Sequence, residues 1–353
     1  MDTPDKLNPA ESSKTQSISH IVHADGTQCI PVLGKRKLHA DFETEANETA
    51  SKKFRMSSKA TTQHCVPNDP SKAGSNATEL HAPIDNPRGL QWSNNSCAYD
   101  AILSVLYNIW QDNPSVRTFQ FKEINEEFLG KMVDGFLQTT ETRLWGTAYT
   151  LEEVRDFMRR SLQRADPAAF PWGRYAGIQC ILDYLLGTGR SVTSSLMRCP
   201  NDHPLDRAHV VASSCQISIL RQCPDLQAFI DDQFIECTSR CHVCHSHVIR
   251  QHVFEDTPAI IAFDLSQHQI ALLDSILITA VNGNRTTYKL RGVMYYLDNH
   301  FTSCFISESG RVWYHDGITT GRQMVPEGSV GDTELLGTCE TGMAICALYA
   351  ISC

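Results

Sequence analysis

The hydrophobic pattern changes character near Ser191, and this change restricts the possible folds of the chain. Before Ser191, apolar residues recur every three or four positions, which is typical of amphipathic helices. After it, the apolar segments are short, rich in β-branched and aromatic residues, and separated by turn residues, which is typical of strands. Helices followed by strands predict an α+β fold.

Four helices are predicted in the first part, at 97–111, 122–138, 150–164 and 177–189. Thr150 and Glu153 have the spacing of a capping box at the start of the third helix. The strands predicted in the second part are 191–199, 233–241, 259–265, 285–297, 300–306 and 311–315.

The first 87 residues differ in composition from the rest. Only two of the 29 aromatic residues, Phe42 and Phe54, precede position 88, and no apolar periodicity is sustained there. Such a segment buries too little surface to offset the entropy of ordering it, so residues 1–87 are predicted to be a disordered tail. The basic clusters Lys35–Lys37 and Lys52–Arg55 resemble a two-part nuclear import signal. We therefore expect a nuclear or nucleocytoplasmic protein, with one folded domain at 88–353.

Charge and cysteine content narrow the function classes. A net charge of −9 and a pI of about 5.8 argue against direct nucleic-acid binding, which needs a basic surface. Neither a signal peptide nor an apolar run of about 20 residues is present, so no membrane segment is expected. In a reducing interior, the 14 cysteines are expected to be thiols, zinc ligands or a nucleophile.

Cys97 is the candidate nucleophile. It lies at the start of the first predicted helix, where the helix dipole favours a thiolate, with Ser96 or Asn95 available as the N-cap. Gln91, Asn94 and Asn95 lie just upstream and offer amide donors for an oxyanion. The alternative is a small apolar residue that fills the core.

A nucleophilic thiol needs a base, and the candidate is His300 at the start of a predicted strand. A turn near Glu308 leads to the next strand and then to Asp316. In a simple antiparallel hairpin centred on position 308, His300 and Asp316 would face each other at its open end. An acid at that place can fix the tautomer and orientation of the imidazole.

These residues carry a family resemblance. "GLQWSNNSCAYDAILSVL" (89–106) resembles the cysteine box of the ubiquitin-specific proteases, a papain-like superfamily. "YKLRGVMYYLDNHFTSCFISESGRVWYHDG" (288–317) resembles their histidine box. "TPAIIAFDLS" (257–266) and "ALYAIS" (347–352) are similar to two core strands of the family. Order and spacing match from about Arg88 onward.

The resemblance implies a papain-like fold with a helical thumb, a β-rich palm and zinc-binding fingers inserted at about 195–250. It also implies Cys97 as nucleophile, His300 as general base and Asp316 as the partner that orients it. Trp92 stands where the family has its oxyanion asparagine, and Gln91 has the spacing of the oxyanion glutamine of papain-like enzymes. Gln91 is therefore preferred, with Asn94 and Asn95 in reserve.

Two further departures are informative. Asn299-His300-Phe301 replaces the usual Gly-His-Tyr, and Asp100 replaces the asparagine commonly found three residues after the cysteine. Gln-Trp upstream of the cysteine together with Asp100 is similar to the divergent, SUMO-directed branch of the family. Ubiquitin and SUMO both remain open as the modifier.

Soft metal ligands are concentrated in two short segments. Cys241 and Cys244 have the spacing of a zinc knuckle, and Cys199 and His203 offer a second pair. Two knuckles separated by strand-forming sequence resemble the zinc-binding fingers of the ubiquitin-specific proteases. A structural zinc ion on these four residues is therefore expected, with Cys237 and His247 as substitutes; the alternative is a group of thiols without metal.

Together, these features predict a thiol isopeptidase that removes ubiquitin or a ubiquitin-like modifier from lysine side chains of target proteins. The competing hypothesis is a catalytically silent domain of the same fold that binds ubiquitin or SUMO. No catalytic cofactor is expected, because the sequence has no open-site metalloprotease motif.

Overall fold

The structure is a computed structural model that describes residues 86–145, 149–205, 209–219, 221–232, 234–268, 270–331 and 342–352. The predicted tail, with its basic clusters, lies outside the described residues except for Asn86 and Pro87.

Helices dominate the first part of the chain. They are α1 (Cys97–Asp112), α2 (Pro114–Ile124), a π-helical turn (Glu126–Gly130), α3 (Lys131–Trp145), α4 (Leu151–Ala165), α5 (Ile178–Leu185) and the short α6 (Leu226–Asp231). Strands follow from residue 193 onward, so the predicted α+β class is confirmed.

The predicted helix at 122–138 is wrong as a single element. The Asn125 side chain accepts a hydrogen bond from the Phe128 N–H and thereby starts a new helical segment, which separates α2 from α3. The capping box at Thr150 and Glu153 is present as predicted, with both reciprocal hydrogen bonds formed. The helix predicted at 177–189 ends earlier, at Leu185.

In the described part of the chain, twelve strands form two sheets. In chain order the strands are β1 (Thr193–Arg198), β2 (His209–Ala212), β3 (Gln216–Ser218), β4 (Phe234–Arg240), β5 (His247–Phe254), β6 (Ile260–Asp264), β7 (Ser275–Thr279), β8 (Arg285–Leu297), β9 (His300–Ile306), β10 (Arg311–His315), β11 (Val325–Ser329) and β12 (Met343–Ile351). All six predicted strands are present.

The large sheet has the order β11-β10-β9-β8-β12-β6-β3, and β7 pairs with the first part of β8. Its pairs are antiparallel except for β3 with β6. The small sheet has the order β2-β1-β5-β4. It falls in the segment predicted as the fingers insertion, about 195–250.

Helix α1 lies directly on the large sheet and contacts β8 and β9. Gly292 of β8 allows this close approach, since a Cβ at that position would lie 2.3 Å from Cγ1 of Val105. Ile102, Val105 and Ile109 are fully buried in the resulting interface. This packing therefore fixes the distance between Cys97, at the start of α1, and β9, which begins at His300.

Within the described part of the chain, every helix is too short or too polar to span a bilayer.

Candidate functional site

Cys97 is the first residue of α1, and its side chain is buried. It lies close enough to His300, the first residue of β9, to help raise the pKa of that ring. The N-cap residue is Ser96, but its side chain does not cap the helix. Ser96 is thus the N-cap residue, one of the two that the sequence offered, although it makes no side-chain cap hydrogen bond.

His300 also contacts Asp316, with 2.8 Å between Nε2 and Oδ1. Because Asp316 engages Nε2, Nδ1 is the ring nitrogen left for the Cys97 thiol. The hydrogen bond with Asp316, and next that with Cys97, raise the pKa of His300 to about 9. The three residues predicted as a catalytic set are thus brought together, with the histidine between the thiol and the carboxylate.

Asp316 is fixed by donors from its own turn. Its Oδ1 accepts from the Ile318 N–H at 2.9 Å, and its Oδ2 accepts from the Thr319 hydroxyl at 2.8 Å. Burial alone would raise the pKa of Asp316, but the hydrogen bonds from His300, Ile318 and Thr319 lower it to about 2. The carboxylate is therefore ionised at neutral pH and can hold a protonated imidazole.

The hairpin that brings these residues together differs in register from the prediction. The pairs Cys304–Tyr314 and Ser303–His315 centre it on position 309, one residue later than expected. Asp316 lies just beyond the end of β10, in the following turn, and from there its carboxylate reaches His300. The predicted contact is present, although the strands are not aligned as the symmetric hairpin requires.

The connection into β9 is a two-residue turn. Asp298 and Asn299 have φ angles of 50° and 63°, and Leu297 pairs with His300. Positive φ at both central residues is typical of a type I′ turn, whose twist matches that of the flanking strands. The Asn299 side chain accepts a hydrogen bond from the Tyr296 hydroxyl at 3.0 Å. His300 is thus held by a short, internally bonded hairpin.

The three candidate oxyanion donors are placed differently. The Gln91 side-chain amide donates to the carbonyl of Gly317 at 3.1 Å, so Gln91 lies beside the Asp316 turn. The Asn95 amide donates to the carbonyl of Gly173 at 2.8 Å. The Asn94 side chain packs against the Cα of Gly173. Each amide nitrogen carries two hydrogens, so Gln91 and Asn95 each retain one donor.

Sequence reasoning missed a buried polar network beneath the cysteine. The Ser96 hydroxyl donates to Asp100 at 2.6 Å, and Arg155 of α4 donates to the other oxygen of Asp100 at 3.0 Å. Arg159, one turn further along α4, is also buried. Both arginines fall on the apolar face of an amphipathic helix, and a charged residue at such a position is the sequence signal that could have identified them.

His315 was also missed. It is buried next to Asp316, and its Nε2 accepts a hydrogen bond from the N–H of Leu90 at 3.0 Å. Burial lowers the pKa of His315, so the ring is neutral at pH 7. A Cβ on Gly89 would collide with this ring. His315 therefore ties the segment before Cys97 to the turn that carries Asp316.

A second group of chemically active residues lies at one end of the small sheet. The ligand atoms of Cys199, His203, Cys241 and Cys244 all lie within 4.8 Å of one another. Cys199 directly follows β1, and Cys241 directly follows β4. These four can hold a metal ion, and they are the four predicted from the sequence. His247 is outside this group, and the Cys237 side chain is outside the described residues.

The spacing of the donor atoms suits a tetrahedral ion. Sγ of Cys199 lies 3.4 Å from Sγ of Cys244 and 3.5 Å from Nδ1 of His203. Bonds of about 2.3 Å to sulfur and 2.0–2.1 Å to nitrogen, at tetrahedral angles, put ligand atoms roughly 3.5–3.8 Å apart. Three sulfur atoms and one imidazole form a donor set typical of structural zinc.

Backbone hydrogen bonds shape both halves of this cluster in the same way. The N–H of Asn201 donates to Sγ of Cys199, and the N–H of Val243 donates to Sγ of Cys241, each at 3.4 Å. Hydrogen bonds from Ser246 lower the pKa of Cys244 to about 5. Burial raises the pKa of Cys199 in the same cluster, so the surroundings favour the metal-binding thiolate at Cys244 but not at Cys199.

No family model matches the sequence, and no curated protein matches it. Several solved structures are similar to the fold. A yeast SAGA DUB module gives a TM-score of 0.45 at 13% identity and covers 77% of this chain and 71% of that chain. A SAGA DUB module bound to monoubiquitin gives 0.43 at 12%, with 78% and 72% covered. The module bound to ubiquitin aldehyde gives 0.42 at 12%, with 77% and 72% covered.

These TM-scores and identities are too low to establish a common family. The function must therefore follow from the arrangement of this chain's own residues.

Proposed function

We propose that this chain is a thiol isopeptidase that cleaves ubiquitin or a ubiquitin-like modifier from lysine side chains. The observation that carries the proposal is the chain of contacts from Cys97 through His300 to Asp316, built from segments about 200 residues apart in sequence. A thiol, an imidazole and a carboxylate in this order are the components of nucleophilic acyl transfer.

In the first step, the Cys97 thiolate attacks the carbonyl carbon of the modifier's C-terminal residue, and the isopeptide C–N bond breaks. His300 gives its proton to the departing lysine amine, which leaves a thioester on Cys97. In the second step, water attacks the thioester while His300 accepts its proton. The modifier is released as a carboxylic acid, and the Cys97 thiolate and the protonated His300 are regenerated. Asp316 stabilises the imidazolium form of His300 throughout.

The tetrahedral intermediate needs donors for its oxyanion. We assign these to the backbone N–H of Cys97, at the positive end of α1, and to the second amide hydrogen of Gln91. Gln91 is preferred because its contact with Gly317 places it beside the Asp316 turn. Asn95, which is bonded to Gly173, is the remaining alternative, and Asn94 comes last.

The four-residue cluster is proposed to hold a structural zinc ion. Zinc at Cys199, His203, Cys241 and Cys244 would join the ends of β1 and β4 and thereby stabilise the small sheet. Zinc supplies cross-linking there and takes no part in the acyl transfer. The small sheet and the neighbouring large sheet would then support the globular body of the modifier, while its extended tail reaches Cys97.

The modifier is ubiquitin or SUMO, and its targets are lysine-modified proteins. Nuclear or nucleocytoplasmic localisation belongs to the same proposal, and it is supported by the basic clusters Lys35–Lys37 and Lys52–Arg55. The residues Gln91, Trp92 and Asp100 support SUMO, through the resemblance described above.

The test is covalent labelling of the purified protein with ubiquitin and SUMO probes that carry a C-terminal electrophile, beside Cys97→Ala as control. An adduct that requires Cys97 is expected with one of the probes, and it identifies the modifier. Lack of any adduct, from folded protein whose Cys97 still reacts with iodoacetamide, would overturn the enzymatic proposal.

The second candidate function is a catalytically silent receptor of the same fold. It is favoured by one observation: the Gln91 and Asn95 amides both donate to backbone carbonyls, so neither is committed to a substrate. A receptor would bind free ubiquitin or SUMO without labelling by the probes. Wild type and Cys97→Ala would then bind the modifier equally well in a titration, with no turnover.

A further inference from the structure

Two arginines of α4 hold the loop that precedes Cys97 through hydrogen bonds. Arg155 Nη1 donates to the carbonyl of Gln91 at 2.7 Å, and Arg159 Nη2 donates to the carbonyl of Asn94 at 2.8 Å. Arg159 Nη1 lies 3.4 Å from the carbonyl of Ser93. The two guanidinium groups thus bind three backbone carbonyls of this loop. We call residues 91–96 the cysteine loop.

The cysteine loop has a backbone that requires support. Asn94 and Asn95 have φ angles of 53° and 59°, so two consecutive non-glycine residues adopt the left-handed conformation. This conformation is unfavourable for residues with a Cβ and persists only where surrounding contacts hold it. Arg159 binds the carbonyl of the first of these residues, and the Gly173 carbonyl accepts from the side chain of the second.

The Arg159 side chain is buried and lies beside two aromatic rings. Its side chain is 3% exposed, and its guanidinium lies 4.6 Å from the ring centroid of Trp172 and 5.2 Å from that of Tyr99. Among the described residues, the carboxylate nearest its guanidinium is that of Asp156, at a long distance of 3.9 Å. Burial of a guanidinium group costs free energy unless its N–H groups are hydrogen-bonded. Those donors go chiefly to the carbonyls of the cysteine loop.

We propose that Arg159 is a positioning residue for the proposed acyl transfer. By binding the Asn94 and Ser93 carbonyls, it holds the left-handed turn that directs the chain into α1. The Cys97 backbone N–H and thiol are thereby kept in line with the carbonyl to be attacked. Arg159 touches neither the substrate nor the reacting atoms. This inference rests on the proposed function only for its effect on turnover, since its effect on the loop is independent of it.

The test compares Arg159→Met and Arg159→Lys with Arg160→Met in the full chain. Methionine keeps an unbranched side chain beside Tyr99 and Trp172 and removes the donors. Arg160 is the matched control, because it is the adjacent arginine, is exposed and lies 5.4 Å from the same Trp172 ring. Hydrogen exchange of the peptide that spans 91–99 measures the loop directly. Trp92 and Ser93 are informative, since both N–H groups are hydrogen-bonded in the loop structure.

In Arg159→Met, we expect loop exchange to become about tenfold faster or more, while exchange in β8 and β9 stays at the wild-type rate. Turnover of the modifier that the probes identify should fall by about 10- to 100-fold with KM little changed, because small misplacements near reacting atoms have effects of this size. Arg159→Lys should recover part of both, since it restores one donor but not the planar fork. Arg160→Met should match wild type in both measurements.

Wild-type loop exchange in Arg159→Met, or an equal effect of Arg160→Met, would overturn the inference. Faster exchange confined to Arg159→Met, in a protein that cleaves no modifier, would support the positioning role and reject the proposed enzymatic function. Faster exchange with undiminished turnover would show that the loop position does not govern the chemistry, and it would also overturn the inference.

Discussion

At the scale of single residues, the His300–Asp316 pair determines how the site responds to pH. The contact is short, at 2.8 Å, and Asp316 is held by two further donors, so the carboxylate stays ionised and close to the ring. The pKa of His300 is raised to about 9 as a result. Protonated His300 therefore stabilises the fold fully below pH 6.5, and this contribution is lost as the pH rises through about 9.

Replacement of Asp316 by Asn is expected to move the alkaline limit of activity. His300 must carry a proton to give to the leaving amine, so wild-type kcat/KM should fall as the pH rises through about 9. The hydrogen bond with Asp316 is the largest cause of the raised pKa of His300. Without it, the alkaline fall in kcat/KM should shift toward pH 6.5. A pH profile of kcat/KM, together with an NMR titration of the His300 ring, measures the shift.

Thr319→Ala is the matched control for this prediction. It removes one donor to Asp316 but leaves the contact between His300 and Asp316 in place. In Thr319→Ala, kcat/KM should fall at nearly the same alkaline pH as in wild type. An unshifted limb in Asp316→Asn would mean that Asp316 is not what raises the pKa of His300.

The proximity of the candidate site residues could be predicted from the sequence, because each candidate is restricted by its chemistry to few residue types. Cys97, His300 and Asp316 are in contact as predicted, and so are the four metal-ligand candidates. Arg155 and Arg159 could not be predicted in the same way. Both bind backbone carbonyls of the segment before Cys97, and backbone carbonyls have no residue-specific signature in the sequence.

At the scale of elements, the distance between α1 and the large sheet is set by Gly292. Gly292→Ala would place a methyl group 2.3 Å from Cγ1 of Val105, so α1 must move away from β8. We expect a loss of about 1–3 kcal/mol in the free energy of unfolding, measured by urea denaturation. Turnover should fall more than tenfold, since Cys97 on α1 would separate from His300 on β9.

A second substitution tests whether this contact is the cause. In Gly292→Ala/Val105→Ala the space of the lost valine methyl groups accommodates the new Cβ, so most of the activity should return. Gly189→Ala is the control for a glycine with open space, because a Cβ there meets nothing within 4 Å. If Val105→Ala gave no recovery, the spacing of α1 and β8 would not be the limiting feature.

Helices α1 and α4 are joined by the buried pair of Asp100 and Arg155. Arg155→Met would leave the Asp100 charge buried without its main partner, so we expect a loss of about 3–5 kcal/mol in the free energy of unfolding. The double variant Asp100→Asn/Arg155→Met removes both charges and should recover much of this loss. Urea denaturation of the two variants measures the difference, and equal losses would show that the unpaired Asp100 charge is not what destabilises Arg155→Met.

The elements with clear local signals could be predicted, and the others could not. The helix at 150–164 was predicted within one residue at each end, because Thr150 and Glu153 mark its start. The break at Asn125 was missed, since the apolar residues on both sides of it keep one helical spacing. Edge strand β11 was missed as well, because all five of its residues are exposed and show no apolar alternation.

At the scale of the whole molecule, the four-residue cluster and the Cys97 site belong to different sheets. The cluster lies at the C-terminal ends of β1 and β4 in the small sheet, while His300 lies on β9 of the large sheet. The large sheet has its own cores on both faces, and α1 packs on it without the small sheet. Binding of the modifier and the chemistry on Cys97 should therefore depend on metal to different extents.

Removal of the metal tests this separation. We expect one zinc ion per chain by elemental analysis, and chelation should speed hydrogen exchange in β1 and β5 while β8 and β9 remain protected. The KM for the intact modifier should rise about tenfold or more with kcat little changed, because the small sheet no longer offers a fixed surface. A short peptide ester that carries only the modifier's C-terminal residues should be cleaved at the rate of the zinc-loaded protein.

Cys241→Ser should reproduce the chelated state, whereas Cys180→Ser should not, since Cys180 lies on α5 outside the cluster. Equal loss of activity on the intact modifier and on the peptide ester would mean that the cluster supports the Cys97 site itself. The large sheet would then depend on the small one for its order. The packing of α1 on β8 and β9 argues against that outcome, because it holds Cys97 beside His300 through elements outside the small sheet.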